Sequence, residues 1–596
     1  MAAQHQRDAL VAPVLLVADP AFLPPSQRVW GTGSWLDPDS REALDWLGLL
    51  RGLGWDVEVV APAAGAIMAA LRPGRRWIVI GCDAAALDTD TVAALQAFVA
   101  VHPALVIARA AQPDAPWSRA AGAWHAGEQS TGHALAWVAD SAQDWQCRAP
   151  FPAVALGLTA ATRVLARLDG KPLVVAAPGH RGALLSLGFH PSLARDANGC
   201  ATALVRKLLV QSYPQPVVHF DFSSSLVLRM DDPGTAQNVH LRSWSYPQLS
   251  PAEWDVIGEL LSARGGCLSV AYVGGWVDDG DAARGSLQVA GRPVARVGGQ
   301  VHPSAEVVYR DLAGHRPGTL HDYAGQYAAL RRAQAAGRVD IELHGHTHMH
   351  PDRQGWAAAD DRYDAVHWYR ELGDACQDAT LRLGAASHPL RVGQRELQRR
   401  FDVEPSTLVC PGDDWSQPAL EVALDCGLQA LSSYYYAYRF DQRFCWTQHV
   451  CAPYLNEPDA AWFEAGLPVV GYFHDAELAL DGVHWLAQWL DRWQAAGATR
   501  LVSLRELCAA HTSSLDVIDA GSLGGPDGTW HIQALAASAT CEGLVLSVQF
   551  HLPPSTPCNA IVVNGHAVPV PVPDADGGVR RLSVRLAAGP ADEGAV

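Results

Sequence analysis

Basic residues are few in this chain: 44 Lys and Arg stand against 62 Asp and Glu among 596 residues, and the formal net charge is -18. Nucleic acids and anionic membrane surfaces bind proteins through patches of basic side chains. The charge balance therefore predicts that neither is a partner. The charged fraction of 18% and the apolar fraction of 49% argue against disorder, and the length predicts two to four domains.

Paired cysteines and long apolar runs are also lacking. The 12 Cys are scattered without any C-x-x-C pair, which argues against a disulfide scaffold or a Cys-rich zinc site and favours a reducing compartment. No run of 18 consecutive apolar residues occurs, so we expect no membrane-spanning helix. The early run LVAPVLLVA contains Pro13 and is more typical of a first strand than of a signal peptide. We therefore expect a cytoplasmic protein.

The first third of the chain alternates short apolar segments with helix-like segments, as where VLLVAD (14–19) precedes DSREALDWLGLLRGLG (39–54). This alternation is typical of βαβ units around a parallel sheet. The region, and PGHRGALLSLGFHPS (178–192) above all, resembles class I glutamine-amidotransferase-like domains, which implies a flavodoxin-like, doubly wound fold for residues 1–215. Cys82 lacks the G-x-C-x-G elbow of an active amidotransferase, so we expect a non-catalytic domain.

Two changes of composition divide the rest of the chain. The segment PQPVVHFDFSSS (214–225) is rich in Pro and Ser, which predicts a linker at a domain boundary. A second α/β region, residues 216–513, follows it. The tail, residues 514–596, contains short alternating segments such as GLVLSVQFHL and AIVVNGHAVPV, separated by Gly, Pro and Asp. That pattern predicts a small β-sandwich.

Four apolar segments of the second region each end in polar residues of catalytic type. SLVLRM ends at Asp231-Asp232, VDIEL runs into HGHTHMHP (344–351), STLVC ends at Pro411-Gly412-Asp413-Asp414, and LPVVGYF ends at His474-Asp475. The carboxyl ends of parallel strands meet at one edge of a sheet or barrel, where active sites lie. The sequence therefore predicts one shared site.

The residue types in this set are those of a catalytic metal site. Two histidines and a carboxylate, with open positions for water and substrate, are typical of such sites. Histidines four residues apart can reach one ion, and the stretch contains two such pairs, His344 with His348 and His346 with His350. A neighbouring carboxylate can act as base on metal-activated water, and a further His can protonate the leaving group. Such a site hydrolyses an amide or an ester.

These residues resemble the motifs of the polysaccharide deacetylase family, also called the NodB-homology domain or carbohydrate esterase family 4. The family's T-F-D-D-G motif corresponds to Arg229-Met230-Asp231-Asp232-Pro233, and its H-[ST]-x-x-H motif corresponds to His346-Thr347-His348-Met349-His350, with Pro351 following. Its strand ending in Leu-His corresponds to Tyr472-Phe473-His474. The motifs follow the order of the family over roughly half of the chain.

The resemblance implies a distorted (β/α)7 barrel and a metal-dependent deacetylation. Asp231 would be the general base, and His474 the acid that protonates the departing amine. Asp232, His346 and His350 would bind the metal, which we expect to be Zn2+, with Co2+, Fe2+ or Ni2+ as alternatives.

The other polar residues of these strand ends are expected to support the ligands or to face the substrate. His344, His348 and Asp475 belong to this group. Replacement of His350 should then strip the metal, whereas replacement of His348 should leave most of it bound.

The third strand end departs from the family, whose R-x-P motif supplies an Arg that orients the base. No Arg follows this strand here, and we hypothesise that Arg229 replaces it. The backbone N–H groups of Gly412 or Asp413 are expected to stabilise the oxyanion. Asp414 is expected near the substrate, and Trp415 either lines the pocket or packs in the core. The family's fourth motif, an Asp-Trp pair, has no clear equivalent.

These features together predict a metal-dependent hydrolase that removes an acetyl group from an N- or O-acetylated sugar or glycoconjugate. One alternative is the hydrolysis of a non-sugar amide or of a glycosidic bond on the same barrel. The other is a catalytically inactive, glycan-binding protein. Assembly into a homo-oligomer through the N-terminal domain is left open by the sequence.

Overall fold

The chain folds into a mixed α/β protein. This computed structural model describes residues 11–19, 38–138, 144–191, 199–433, 436–440, 443–447, 450–453, 458, 460–464, 466, 468–518, 528–553, 556–574 and 578–589. Among the helices in these ranges, none has the length and apolar character needed to cross a membrane.

The N-terminal region contains one nine-stranded sheet. Its strands are β1 Val14–Val17, β2 Val57–Val60, β3 Trp77–Ile80, β4 Leu105–Arg109, β5 Ala123–Trp137, β6 Asp144–Leu158, β7 Arg163–Leu168, β8 Lys171–Pro178 and β9 Ala183–Leu187. Its helices are α1 Pro38–Gly52, α2 Ala64–Ala70, α3 Thr89–Val101, α4 Pro116–Ala121 and α5 Gly199–Gln211, with a 3-10 turn at Ala84–Ala86.

Half of this sheet is parallel, as predicted, and half is not. The strand order is β2-β1-β3-β4-β9-β8-β7-β5-β6. The strands from β2 to β9 in that order pair in parallel, and β1 and β3 are apolar and buried along their whole length, as strands covered on both faces are. The strands from β9 to β6 pair antiparallel, an extension not predicted from the sequence. The flavodoxin-like assignment stays a prediction.

The central region contains the largest sheet and a cover of smaller ones. Its strands are β10 Val217–Phe220, β11 Ser225–Asp231, β12 Leu268–Tyr272, β13 Gly275–Val277, β14 Gly285–Val289, β15 Arg292–Pro293, β16 Val301–Pro303, β17 Val307–Asp311, β18 Leu320–Asp322, β19 Val339–Leu343, β20 Thr407–Val409, β21 Ala430–Ser432, β22 Tyr436–Phe440, β23 Arg443–Thr447, β24 Val450–Pro453, β25 Val469–His474 and β26 Arg500–Val502.

Helices of the same region connect these strands. They are α6 Gln237–His240, α7 Pro251–Ala263, α8 Tyr323–Ala335, α9 Arg353–Ala358, α10 Gln377–Leu383, α11 Pro389–Phe401, α12 Gln417–Asp425, α13 Ala460–Glu464, α14 Asp475–Asp481, α15 Val483–Ala495 and α16 Leu504–Thr512. The 3-10 turns are Arg242–Trp244, Ser304–Glu306, Val366–Tyr369, Asp374–Cys376, Ala385–Ser387 and Pro411–Asp413.

The main central sheet is a parallel half-barrel. Its order is β23-β22-β21-β20-β19-β12-β11-β25-β24, with β26 paired to β11. The strands from β21 to β24 in that order run parallel, so their carboxyl ends share one edge. The strand pairings of the described residues do not close this sheet into the (β/α)7 barrel that the resemblance implied. Two smaller sheets, β13-β16 and β15-β14-β17-β18, are formed by the chain between β12 and β19.

The C-terminal region contains two small sheets. Its strands are β27 Ser514–Ile518, β28 Thr529–Leu535, β29 Val545–His551, β30 Ala560–Val563, β31 His566–Val568 and β32 Val579–Arg585. They form the sheets β27-β28-β30-β31 and β10-β29-β32, and Trp530 of one packs edge-on against Phe550 of the other at 5.9 Å. The segment predicted as a linker thus supplies β10 to a C-terminal sheet. The sandwich and the domain limits stay predictions.

Arg51 joins the N-terminal region to the end of the half-barrel. The side chain is buried, and its guanidinium donates to the carbonyls of Trp55 at 2.9 Å, Thr512 at 2.8 Å and Ser513 at 3.1 Å. The last carbonyls of a helix lack partners within the helix, and a cation is favourable there. Arg51 therefore caps α16 from the neighbouring region.

We expect Arg51→Met to lower the thermal stability of the whole protein. The methionine fills similar space but leaves buried carbonyls without donors, at about 1–3 kcal/mol each. The midpoint of thermal unfolding, followed by fluorescence, should fall by at least ~3 °C. Arg332→Met is the control, since Arg332 makes only an exposed ion pair with Asp255 and should shift the midpoint by less than about 1 °C. Equal shifts in the two variants would contradict the capping role.

Candidate metal centre

The histidine-rich stretch begins where β19 ends and turns sharply. Gly345 has φ +68° and His348 has φ +58°, both in the left-handed region that glycine adopts most readily. A Cβ on Gly345 would lie 2.1 Å from Oε2 of Glu371, so only glycine fits there. The turn brings the rings of His344 and His348 to 5.0 Å, edge to face.

Asp232 meets this pair from the end of β11. Its Oδ1 lies 3.4 Å from Nε2 of His344 and 3.5 Å from Nε2 of His348, and all three side chains are buried. One ligand atom from each lies within 4.8 Å of the others, so the three could hold a metal ion. Within the described ranges, no other three His, Cys, Asp or Glu side chains come this close.

The chemistry of these donors fits a divalent metal. Nδ1–H of His344 donates to the carbonyl of Val409 at 2.9 Å, which leaves Nε2 as the free ligand atom, as is usual for metal-binding histidines. Burial raises the pKa of Asp232, but the nearby histidines, His344 first among them, lower it by more than burial raises it. The net shift of the pKa is therefore downward. The carboxylate is therefore in the ionised form that binds cations.

The predicted ligands His346 and His350 do not join this group. Nε2 of His346 lies 2.7 Å from the point where a Cβ on Gly275 would stand, so this ring faces β13. The ring of His350 packs edge-on against Trp368 at 5.4 Å. The structure thus places the other pair of histidines against Asp232, and the register predicted from the family motif is corrected by two residues.

Asp231, the predicted base, is held by Arg229. Nε of Arg229 donates to Oδ1 at 2.9 Å, and Nη2 donates to Oδ2 at 2.6 Å. Nη1 donates to the hydroxyl of Ser432 at 3.0 Å, and the guanidinium lies over the ring of Tyr472 at 4.3 Å. Arg229 is therefore in the position that the hypothesis of a replaced motif Arg requires.

His474 faces the same cavity from the end of β25. Burial lowers the pKa of its imidazole, but Glu477, Asp232 and Asp231 raise it to about 9. Oε1 of Glu477 lies 3.5 Å from Nδ1 of His474, and Oε2 accepts the backbone N–H of His474 at 2.7 Å. Trp244 packs edge-on against His474 at 4.9 Å, and its indole N–H donates to Oδ2 of Asp232 at 3.0 Å.

Trp244 and Glu477 were not predicted from the sequence. A Glu three residues after a strand-ending His is a capping-box spacing, and this signal could have found Glu477. Trp244 comes from a 3-10 turn with no local pattern that points to the site.

The turn after the third strand does not offer all of the predicted oxyanion donors. The N–H of Asp413 donates to the carbonyl of Cys410 at 2.9 Å, so it is not available for an oxyanion. Gly412 and Asp413 do line the cavity. The carbonyl of Gly412 accepts from Arg370, and the carboxylate of Asp413 accepts from Ser433 at 2.8 Å.

Asp414, Trp415 and Asp475 lie behind the cavity rather than on its surface. Asp414 and Trp415 are buried, and neither lines the cavity. Asp475 is buried too, and its carboxylate accepts from the hydroxyl of Tyr246 at 2.7 Å. Trp415 therefore has the core role that the sequence left open.

The four strand ends do converge on one cavity, as predicted. It has a volume of about 120 Å³. Its walls are formed by Asp231, Asp232, Gln237, Trp244, His344, His348, Val366, Tyr369, Arg370, Cys410, Gly412, Asp413 and His474.

Comparisons with known proteins give distant similarities. Neither a protein-family model nor a curated protein matches the chain. Among solved structures, the chain is similar to Agd3, described as a novel carbohydrate deacetylase, with 10% identity over 97% of both chains and a TM-score of 0.42. A CE4 family pseudoenzyme from Bacillus anthracis is 7% identical over 48% of this chain and 66% of that chain, with a TM-score of 0.25.

A third similar structure belongs to another class. An exo-β-1,4-mannosidase from Opitutaceae bacterium strain TAV5 is 18% identical over 35% of this chain and 36% of that chain, with a TM-score of 0.21. Scores of this size assign neither a fold nor a function to this chain.

We expect His348→Ala to lose the metal and His350→Ala to keep it. His348 would supply one of the three ligand atoms of this group, so its loss should weaken metal affinity beyond the roughly 10–100-fold that changes around ligands cost. The measurement is zinc affinity by competition with a chelator, with metal content by elemental analysis. The opposite pattern, with metal lost only from His350→Ala, would restore the register of the family motif.

Proposed function

We propose that this protein is a metal-dependent hydrolase that removes an acetyl group from an N- or O-acetylated sugar or glycoconjugate. The observation that carries the proposal is that one cavity contains three groups: a cluster able to bind a metal, a carboxylate paired with an Arg, and a further histidine. Asp232 lies against two histidines, Asp231 forms an ion pair with Arg229, and His474 faces both carboxylates. These are the types of group that acyl transfer to water requires.

The proposed ligands are Asp232, His344 and His348. One carboxylate and two imidazoles fit Zn2+, with Co2+, Fe2+ and Ni2+ as alternatives, and leave positions for the substrate. When bound, the ion would supply Lewis-acid polarisation of the acyl carbonyl.

Asp231 is the proposed general base. Both of its oxygens accept from Arg229, and this bidentate contact fixes the plane of the carboxylate as a single ion pair contact would not. A base held in this way can take a proton from the attacking water without first reorienting.

His474 is the proposed general acid. A pKa raised to about 9 keeps its imidazole protonated at neutral pH. It can therefore give a proton to the departing amine or alkoxide. Trp244 and Glu477 contact the ring from two sides and limit its rotation.

A non-sugar amide is the second candidate substrate. The turn at Gly412, which follows the third strand, favours this candidate. It departs from the family's R-x-P motif, and it forms part of the cavity wall. The resemblance of the Asp-Asp and His motifs to the deacetylase family favours the sugar. Cytoplasmic location stays a prediction from the sequence, and homo-oligomerisation stays open.

We expect the wild-type protein, loaded with Zn2+, to release acetate from N-acetylhexosamine oligomers or O-acetylated glycans. Asp231→Asn should lower kcat by about 10²–10⁴-fold, the usual contribution of a general base, without loss of metal. Asp425→Asn, in an exposed ion pair with Arg391, is the control and should keep full activity. Equal activity of wild type and Asp231→Asn would remove Asp231 from the mechanism, and acetate release from non-sugar amides alone would favour the second candidate.

Arg229→Lys should lower kcat by about 10–100-fold while metal content stays unchanged. Lysine keeps the charge but cannot make the bidentate contact, and a base displaced by about 1 Å can cost 10²-fold. The control is Arg75→Lys, because Arg75 is also buried and paired with a carboxylate, Glu58, far from the cavity. Undiminished kcat in Arg229→Lys would show that the base needs no bidentate partner.

A further inference from the structure

Glu371 lies buried under the loop that carries the metal-facing histidines. Its carboxylate accepts four hydrogen bonds from three consecutive residues. Oε2 accepts the N–H of His346 at 2.8 Å and that of His348 at 3.3 Å. Oε1 accepts the N–H of Thr347 at 2.9 Å and its hydroxyl at 2.7 Å. The side chain is fully buried, so these bonds are not exchanged with solvent.

Such bonds determine the course of the loop. Three successive backbone N–H groups can point at one anion only when the chain curls around it. The curl here includes His348 at φ +58°, a conformation that non-glycine residues seldom adopt. Gly345 provides the room, since any Cβ at that position would collide with Oε2 of Glu371.

The carboxylate is itself fixed from the third strand end. Leu372 forms a β-bridge with Trp415, and a Cβ on Gly373 would lie 2.4 Å from the carboxyl carbon of Asp414. Asp414 and Trp415 therefore hold the segment that carries Glu371, although they do not reach the cavity.

We propose that Glu371 is a positioning residue for the metal: it shapes the loop so that Nε2 of His344 and Nε2 of His348 both face Asp232. This inference rests on the proposed metal site. Glu371 does not line the cavity, so it acts through the histidines. A neutral amide cannot replace it, because an NH2 group would then stand against a backbone N–H donor.

The test compares Glu371→Gln with Asp311→Asn for zinc affinity, for the visible spectrum of the Co2+ form, and for thermal stability. Asp311 is a matched control: it is buried and accepts the backbone N–H groups of Gly314 at 2.6 Å and Arg316 at 2.8 Å, but the loop that it holds carries none of the proposed metal ligands. Glu371→Gln should weaken zinc binding about 10–100-fold and change the Co2+ spectrum. Asp311→Asn should do neither, whatever stability it loses.

Two further variants test whether a shorter carboxylate restores zinc affinity and provide a test if Glu371→Gln does not fold. Glu371→Asp keeps an acceptor on both oxygens and should recover part of the affinity. If Glu371→Gln does not fold, Thr347→Val decides. It removes the hydroxyl that donates to Glu371 at 2.7 Å and that accepts the N–H of Met349 at 3.3 Å, and it should weaken zinc binding measurably.

The outcomes separate this inference from the proposed function. Wild-type zinc affinity in Glu371→Gln, or in Thr347→Val if the first does not fold, would overturn the positioning role. Equal losses of zinc affinity in Glu371→Gln and Asp311→Asn would show that the effect comes from general destabilisation. That result would also overturn the positioning role. A wild-type protein that binds neither Zn2+ nor Co2+ would instead refute the metal site itself.

Discussion

Two adjacent buried carboxylates, Asp231 and Asp232, set the constraint on which the rest of the site depends. They are 4% and 3% exposed, so bulk water cannot stabilise their charges. The backbone separates them: Asp231 closes β11, whereas Asp232 has φ +82°. Each carboxylate therefore meets its own set of partners.

The partners are divided according to what each carboxylate has to do. Arg229 is permanently charged and takes both oxygens of Asp231. The same contact on Asp232 would compete with a metal ion for those oxygens. Asp232 is instead met by the neutral indole N–H of Trp244 on one oxygen, and its other oxygen faces His344 and His348. One carboxylate is thus suited to accept protons and the other to bind a cation.

The convergence of strand ends could be predicted from the sequence because it is local: each apolar strand stops at polar residues. The choice between two histidine pairs could not, since the four-residue spacing occurs twice. What decides it is the left-handed turn at Gly345 and the carboxylate of Glu371, a contact from a later segment that no spacing reveals. The pairing of β10 with β29 is equally non-local, and for that reason a strand looked like a linker.

The departures from the family motifs have a physical explanation in the partners that stand close by in the chain. Residues two apart on a strand share a face, so Arg229 can reach Asp231 without an Arg from the third strand end. Glu477 lies in the first turn of α14, three residues after His474, and its Oε1 lies 3.5 Å from Nδ1 of that ring. Because both supports lie close in the chain to Asp231 and His474, the turn after β20 is not needed to supply them. Its Gly412 and Asp413 line the cavity and are left to meet the proposed substrate.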